Sequence, residues 1–195
     1  MITGLSQKTV DALCASQIIS EADRELYSYG FFVFYTRLLF LLITILFGCL
    51  FNIVWESILM YFVFTLVRSY AGGVHASKES ICLALTTLSL FVCVATIRLL
   101  IYIDNTITPL IFLFVEWFLI IVLCPIDSKE KPLSKAERKR YKIISSTIAS
   151  VILCAAPILA LWGIKSVVYA CTLSFALESI LLFLGHRQIS SNSQN

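Results

Sequence analysis

Of 195 residues, 59% are hydrophobic and only 14% charged, where soluble domains carry roughly a quarter charged, and the mean hydropathy is +0.91. That balance excludes an ordinary soluble enzyme, and a net charge of +3 points to membrane topology, with no nucleic-acid partner. Seven cysteines are an odd number without paired spacing, which argues against a disulfide framework and leaves small buried hydrophobes or a reduced nucleophile.

Residues 1–30 mix polar and apolar positions and lack the continuous apolar core of a cleavable signal peptide. They read as a cytoplasmic or interfacial segment. Within it, residues 5–28 are either an amphipathic surface helix, with Leu5, Val10, Leu13 and Ile18 on or near one face, or a frayed tail. An apolar run from Phe31 to Val67 is interrupted by Asn52 and Glu56, which predicts a hairpin of two spans, 31–51 and 53–70, the second short or re-entrant. Further spans are predicted at 81–103, 107–124, 143–164 and 166–184, each near the ~20 residues that cross the hydrocarbon. None of these runs alternates with the period of two that an outer-membrane barrel needs. The expected fold is therefore all-α, a polytopic membrane protein of about six transmembrane helices in a single domain, 31–187, followed by a disordered tail at 188–195.

Lysine and arginine set the expected orientation, because cytoplasmic loops retain an excess of both. With both termini inside, twelve of the 15 basic residues fall on the cytoplasmic side. These are Lys8, Arg24, Arg68, Lys78, seven in the loop 125–142, and Arg187. Lys165 then lies in an outer turn, and Arg37 and Arg98 lie inside apolar runs. Arg37, Glu56, Arg98, Glu116 and Glu178 are the ionisable residues within or at the edge of spans, candidates for interhelical pairs or a polar cavity.

The cytoplasmic stretch 68–82, RSYAGGVHASKESIC, concentrates reactive residue types. Gly72 and Gly73 disfavour continuation of a helix and permit positive φ, so the chain bends just before His75. In one straight helix His75 and Cys82 would stand about 10 Å apart along the axis, too far for the ~3 Å contact between a general base and its nucleophile. A dyad therefore needs His75 on a loop folded back over the start of the helix carrying Cys82. A thiol at a helix N-terminus beside an imidazole is more readily a thiolate. Spacing alone leaves open a solvated loop histidine and a cysteine used for packing. His186, the only other histidine, reads as a basic residue flanking the last span.

No HExxH, GxSxG, phosphate-loop or dinucleotide glycine motif occurs, so no metal and no cofactor is expected. The loop 125–142, PIDSKEKPLSKAERKRYK, is explained by positive-inside topology. Its lysines, Lys129 and Lys131 among them, are also suited to acidic lipid headgroups or the acidic part of a peptide.

The chain resembles the accessory gene regulator B (AgrB-like) family of membrane cysteine peptidases. The resemblance rests on Arg68 followed by AGGVHA at Ala71 to Ala76, Cys82 between membrane runs, the lysines before Pro132, and KRYK at Lys139 to Lys142. It implies that His75 and Cys82 are the catalytic pair, supported by a loop containing Arg68, Gly72 and Gly73. It further implies a homodimer in the cytoplasmic membrane with its active site at the inner face. The implied substrate is a small AgrD-like precursor with an amphipathic leader, cleaved through an acyl-thioester and cyclised to a thiolactone or lactone autoinducer. No Asn or Asp is placed by sequence to orient His75. The alternative from another class is a non-enzymatic transporter or export partner for a small peptide.

Overall fold

The computed structural model describes residues 2–72, 79–126 and 134–192, the side chains of 189–192 aside. Among them are seven α-helices and no strand: α1 (Ile2–Ala15), α2 (Arg24–Phe51), α3 (Val54–Ala71), α4 (Glu79–Ile103), α5 (Ile107–Leu123), α6 (Lys135–Leu161) and α7 (Ser166–Asn192). The all-helical expectation holds. Four helical stretches, Glu21–Phe51, Glu79–Ile103, Lys135–Leu161 and Ser166–Gln188, are long and apolar enough to cross a membrane. The apolar α5 is shorter, at 17 residues, and α3, with Glu56 and Arg68 among its 18 residues, is not one of the four. The chain divides into two compact units, Met1–Ile43 and Thr44–Asn195.

In the first unit α1 buries Ile2, Ser6 and Val10, one residue per turn along a single stripe. Leu5 falls to the side of that stripe and is exposed. The helix stops at Ala15 because Gln17 takes a positive φ of 56°, and a short 3-10 turn at Glu21–Asp23 leads into α2. Arg24 pairs with Asp11 on α1 and, at 3.0 Å, with Glu21. The Thr9 and Tyr35 hydroxyls are hydrogen-bonded at 2.9 Å, so polar contacts as well as apolar ones join α1 to α2.

The second unit is organised around α7, which packs against α3, α4, α5 and α6. Of the most apolar stretch of α7, 67% is buried, against 22% for α4 and 17% for α6. Water exclusion does not drive helices together in lipid, so close packing and hydrogen bonds must hold them. The hydroxyls of α7 supply such bonds: Ser174 donates to the Met60 carbonyl at 2.7 Å and Thr172 to the Pro109 carbonyl at 3.0 Å. The outward faces of α4 and α5 expose Leu85, Leu88, Val92, Ile111, Phe114 and Phe118, a surface for lipid tails that would be an aggregation liability in water.

Turns follow from residue type. Asn52 closes α2 at φ 56°, a left-handed conformation that asparagine tolerates, and the Ile53 amide donates to the Gly48 carbonyl at 2.9 Å. Asp104 ends α4 at φ 52° and receives Lys165 at 2.9 Å. Ser134 and Glu137 form a reciprocal capping box at the start of α6. The helix order gathers Arg68, Lys135, Arg138, Lys139, Arg140, Lys142 and Arg187 at the end of this unit where α3 stops and α6 starts. Among the described basic residues of this unit, Arg98 and Lys165 stand toward the opposite end.

Gly48 marks the closest approach in the α2–α3 turn. A Cβ there would lie 2.8 Å from the Val54 Cα and 3.0 Å from the Ser57 Oγ, and backbone cannot yield as a flexible side chain can. Gly48→Ala is expected to destabilise the protein by about 1–3 kcal/mol through overpacking. Gly30→Ala, with nothing within 4 Å, should leave stability unchanged or raise it. Thermal unfolding of the two variants in the same detergent checks the contrast.

Candidate active site

The helix break demanded by the dyad geometry lies between α3 and α4. No single helix runs through residues 68–82, since α3 ends at Ala71 and α4 begins at Glu79. Gly72, the residue that caps α3, has φ 78° and ψ −154°, a region essentially closed to residues with a Cβ. It has a second reason to be glycine. Gly72 pairs with Ile126 in an isolated parallel bridge, the Ile126 amide donates to the Ala71 carbonyl at 2.9 Å, and a Cβ on Gly72 would collide with the Ile126 carbonyl oxygen. The segment leaving α5 is thereby clamped to the end of α3.

Arg68, in the last turn of α3, completes the clamp. Its Nη1 donates to the Gly72 carbonyl at 2.7 Å and stands 3.8 Å from the Glu178 Oε1 on α7. The Arg68 side chain is 19% exposed and that of Glu178 not at all. Neither carboxylate oxygen of Glu178 has a hydrogen-bond partner among the described residues. One guanidinium thus joins the carbonyl at the start of the break to a charge in the middle of the unit's central helix.

Cys82 lies one turn into α4 and is partly buried. Around the same end, the Cys124 thiol and Ser145 hydroxyl are 3.1 Å apart in a buried contact between the end of α5 and α6. Tyr70 meets Tyr141 edge to face at 6.1 Å between ring centroids. His186 on α7 joins through Nε2 to the Leu123 carbonyl at 3.0 Å. Sequence reasoning took His186 for a flanking basic residue, and its tie to α5 is a tertiary fact without a local signal. Ile126 was missed for the same reason.

Of the sequence-predicted site residues, the structure brings Arg68 and Gly72 into direct contact and puts Cys82 at the start of the following helix. Gly73, His75, Lys129 and Lys131 lie outside the described residues, as does the return of the imidazole toward the thiol. Of the ionisable residues within spans, Glu178 has its interhelical pair in Arg68, while one buried oxygen of Glu116 has no hydrogen-bond partner among the described residues. No group of three or more His, Cys, Asp or Glu suited to a metal ion occurs among them.

The family model for accessory gene regulator B matches residues 6–182. The chain belongs to the accessory gene regulator B family. Two Clostridium perfringens proteins described as AgrB-like are similar to it. The one from strain SM101 / Type A is 25% identical over 153 residues, 73% of this chain and 69% of the relative. The one from strain 13 / Type A is 25% identical over 151 residues, 70% of this chain and 68% of the relative. No solved structure matches the chain. AgrB membership, together with the apolar helices, makes this a membrane protein and suggests a part in the processing of agr quorum-sensing peptides.

Gly72→Ala separates backbone demand from side-chain chemistry in this AgrB chain. Forcing an alanine into the Gly72 conformation costs on the order of 1–3 kcal/mol, and relief of the clash must come from the Ile126 backbone. The expected result is a lower unfolding temperature in detergent and faster proteolytic nicking near Ile126. A variant as stable and as resistant as the wild type would show that the clamp does not constrain the break.

Proposed function

We propose that this AgrB-family chain is a cysteine endopeptidase of the cytoplasmic membrane. It releases the C-terminal part of a small AgrD-like precursor and promotes cyclisation to a thiolactone or lactone autoinducer. The observation that carries the reading is the family match across residues 6–182, enclosing a helix break that separates Ala71 from the Cys82 helix. The basic residues at the end of the unit that holds this break support a cytoplasmic position for it and for both termini, by the positive-inside bias.

In the proposed reaction His75 accepts the Cys82 thiol proton as the thiolate attacks the scissile carbonyl. The tetrahedral adduct collapses with loss of the amine, which takes its proton from the imidazolium, and the peptide's acyl group remains on Cys82 as a thioester. A thiol or hydroxyl within the same peptide then attacks that thioester, closing the ring and freeing the Cys82 thiol. Thioester-to-thioester exchange replaces one acyl–sulfur bond with another, so ring closure to a thiolactone is nearly balanced in bond energy.

Lys129 and Lys131 are assigned to the acidic part of the precursor or to lipid headgroups, whose field attracts basic segments close to the membrane surface. The active form is proposed to be a homodimer, each protomer carrying its own dyad.

Purified chain in liposomes with an AgrD-like precursor tests the proposal. Cys82→Ala is expected to leave no detectable cleavage and His75→Ala to lose at least about 100-fold, in the range a general base contributes, with insertion preserved in both. Cys82→Ser should be far slower than wild type at the same geometry. Cleavage retained by the Cys82→Ala protein would sink the peptidase reading in favour of a non-enzymatic export partner.

A further inference from the structure

Helix α4 carries two stripes with different surroundings. Ile81, Leu85, Leu88 and Val92 recur at helical spacing and are all exposed, as a lipid-facing stripe must be. The other stripe runs Leu83, Thr86, Leu90, Val94 and Ile97. Its second half is closed, with Leu90, Val94 and Ile97 fully buried. Its first half is open, since no residue of α4 before Leu90 is buried and Leu83 and Thr86 are only partly covered. Cys82 borders this face, one turn before Thr86. α7, against which α4 packs, exposes Phe183 and Leu184 toward the same end, just past the fully buried Leu182. The face that closes on the unit at Leu90 is thus open where the nucleophile of the proposed reaction sits.

We propose that this open face is the subsite for the residue on the acyl side of the scissile bond, that the residue is a bulky apolar one, and that Leu83 and Thr86 set the preference. The inference deepens the peptidase reading and rests on it.

The acyl carbon bonded to the Cys82 sulfur carries that residue as its nearest group, so the residue meets whatever adjoins Cys82. Positions four apart stand about 6 Å apart along a helix axis, within reach of a leucine, methionine or phenylalanine side chain. Helical side chains lean toward the helix start, so Thr86 leans toward the acyl group while Leu83 flanks it. Leu90, fully buried, closes the far end. A charged side chain seated there would give up its water without a counter-group on the face, whereas an apolar one gains by leaving water. A lipid chain is the poorer occupant, because this face shares its side of the helix with the buried Leu90, Val94 and Ile97 and lies opposite the exposed stripe.

Two measurements on the full chain test this. The first is kcat/KM in liposomes for AgrD-like precursors that carry phenylalanine, leucine, alanine or aspartate before the cleavage site, the site itself being located by mass spectrometry of the products. Wild type is expected to prefer leucine or phenylalanine to aspartate by at least about 100-fold and to alanine by about tenfold, the range a filled apolar pocket gives. Thr86→Phe, which fills the face, should cost the phenylalanine precursor about tenfold more than the alanine precursor. Leu83→Ala, which widens it, should favour phenylalanine over leucine. Leu88→Ala, on the lipid-facing stripe, should leave the order of preference unchanged. The second measurement needs no substrate: labelling of Cys82 in detergent by methyl and by benzyl methanethiosulfonate, read by mass spectrometry. Thr86→Phe should slow the benzyl reagent relative to the methyl reagent, and Leu83→Ala should not.

A wild type indifferent to the acyl-side residue, or wild-type preferences in both Thr86→Phe and Leu83→Ala, would overturn the subsite and leave the peptidase standing; lipid or a second copy would then cover the face. An equal loss for all four precursors in both variants would overturn it as well. Cleavage by Cys82→Ala would remove the peptidase reading and the subsite with it.

Discussion

Charge inside the apolar layer is the constraint around which the second unit is built. Glu178 has no exposure to solvent, and the counter-charge set against it comes from another helix, α3. A membrane interior tolerates such a group only against protein or water, never against lipid, so α7 must sit inside the unit with α3 beside it. The burial of α7 and its contacts with four other helices satisfy that requirement. Its small hydroxyl residues, Thr172 and Ser174, let the neighbouring backbones come close enough to accept hydrogen bonds. Thus the one expensive residue and the packing that surrounds it are consequences of each other.

The same physics explains why the chain opens where it does. A helix that stops leaves four carbonyls without partners, and near a membrane each must be answered locally. At the end of α3 the Ala71 carbonyl receives the Ile126 amide and the Gly72 carbonyl receives Arg68. The end of α3 is therefore satisfied at Ala71 and Gly72. The described end of α3 is thus fixed, and Cys82, the nucleophile of the proposed reaction, lies in the first turn of the next described helix.

The predicted apolar runs are visible in sequence because lipid imposes length and hydrophobicity directly on local composition, and each run corresponds to a helix. Asn52 between two apolar stretches gave the α2–α3 turn for an equally local reason, its tolerance of positive φ. The doublet Gly72–Gly73 announced the end of α3 in the same way. What sequence could not supply are pairings between elements far apart in the chain. Arg68 with Glu178, Gly72 with Ile126 and Leu123 with His186 join residues from α3, the end of α5 and α7, and no periodicity encodes them. The amphipathic face of α1 was only partly legible, because Leu5 looks apolar in a list while helical geometry turns it aside from the stripe that Val10 occupies.

The thioester proposed above, made at a membrane face, carries a chemical demand of its own. Hydrolysis competes with cyclisation for the acyl-enzyme, and water outnumbers the internal nucleophile of the peptide, so the ring closes only if that nucleophile has a high effective concentration. On the proposed reaction, the partly buried Cys82 at the start of α4 leaves less room around the acyl group than a fully exposed thiol would. A fully exposed thioester would let water reach it at many orientations and divert the product to a linear peptide. On the proposed reaction, burial around Cys82 therefore bears on which product forms as well as on how fast the precursor is cut.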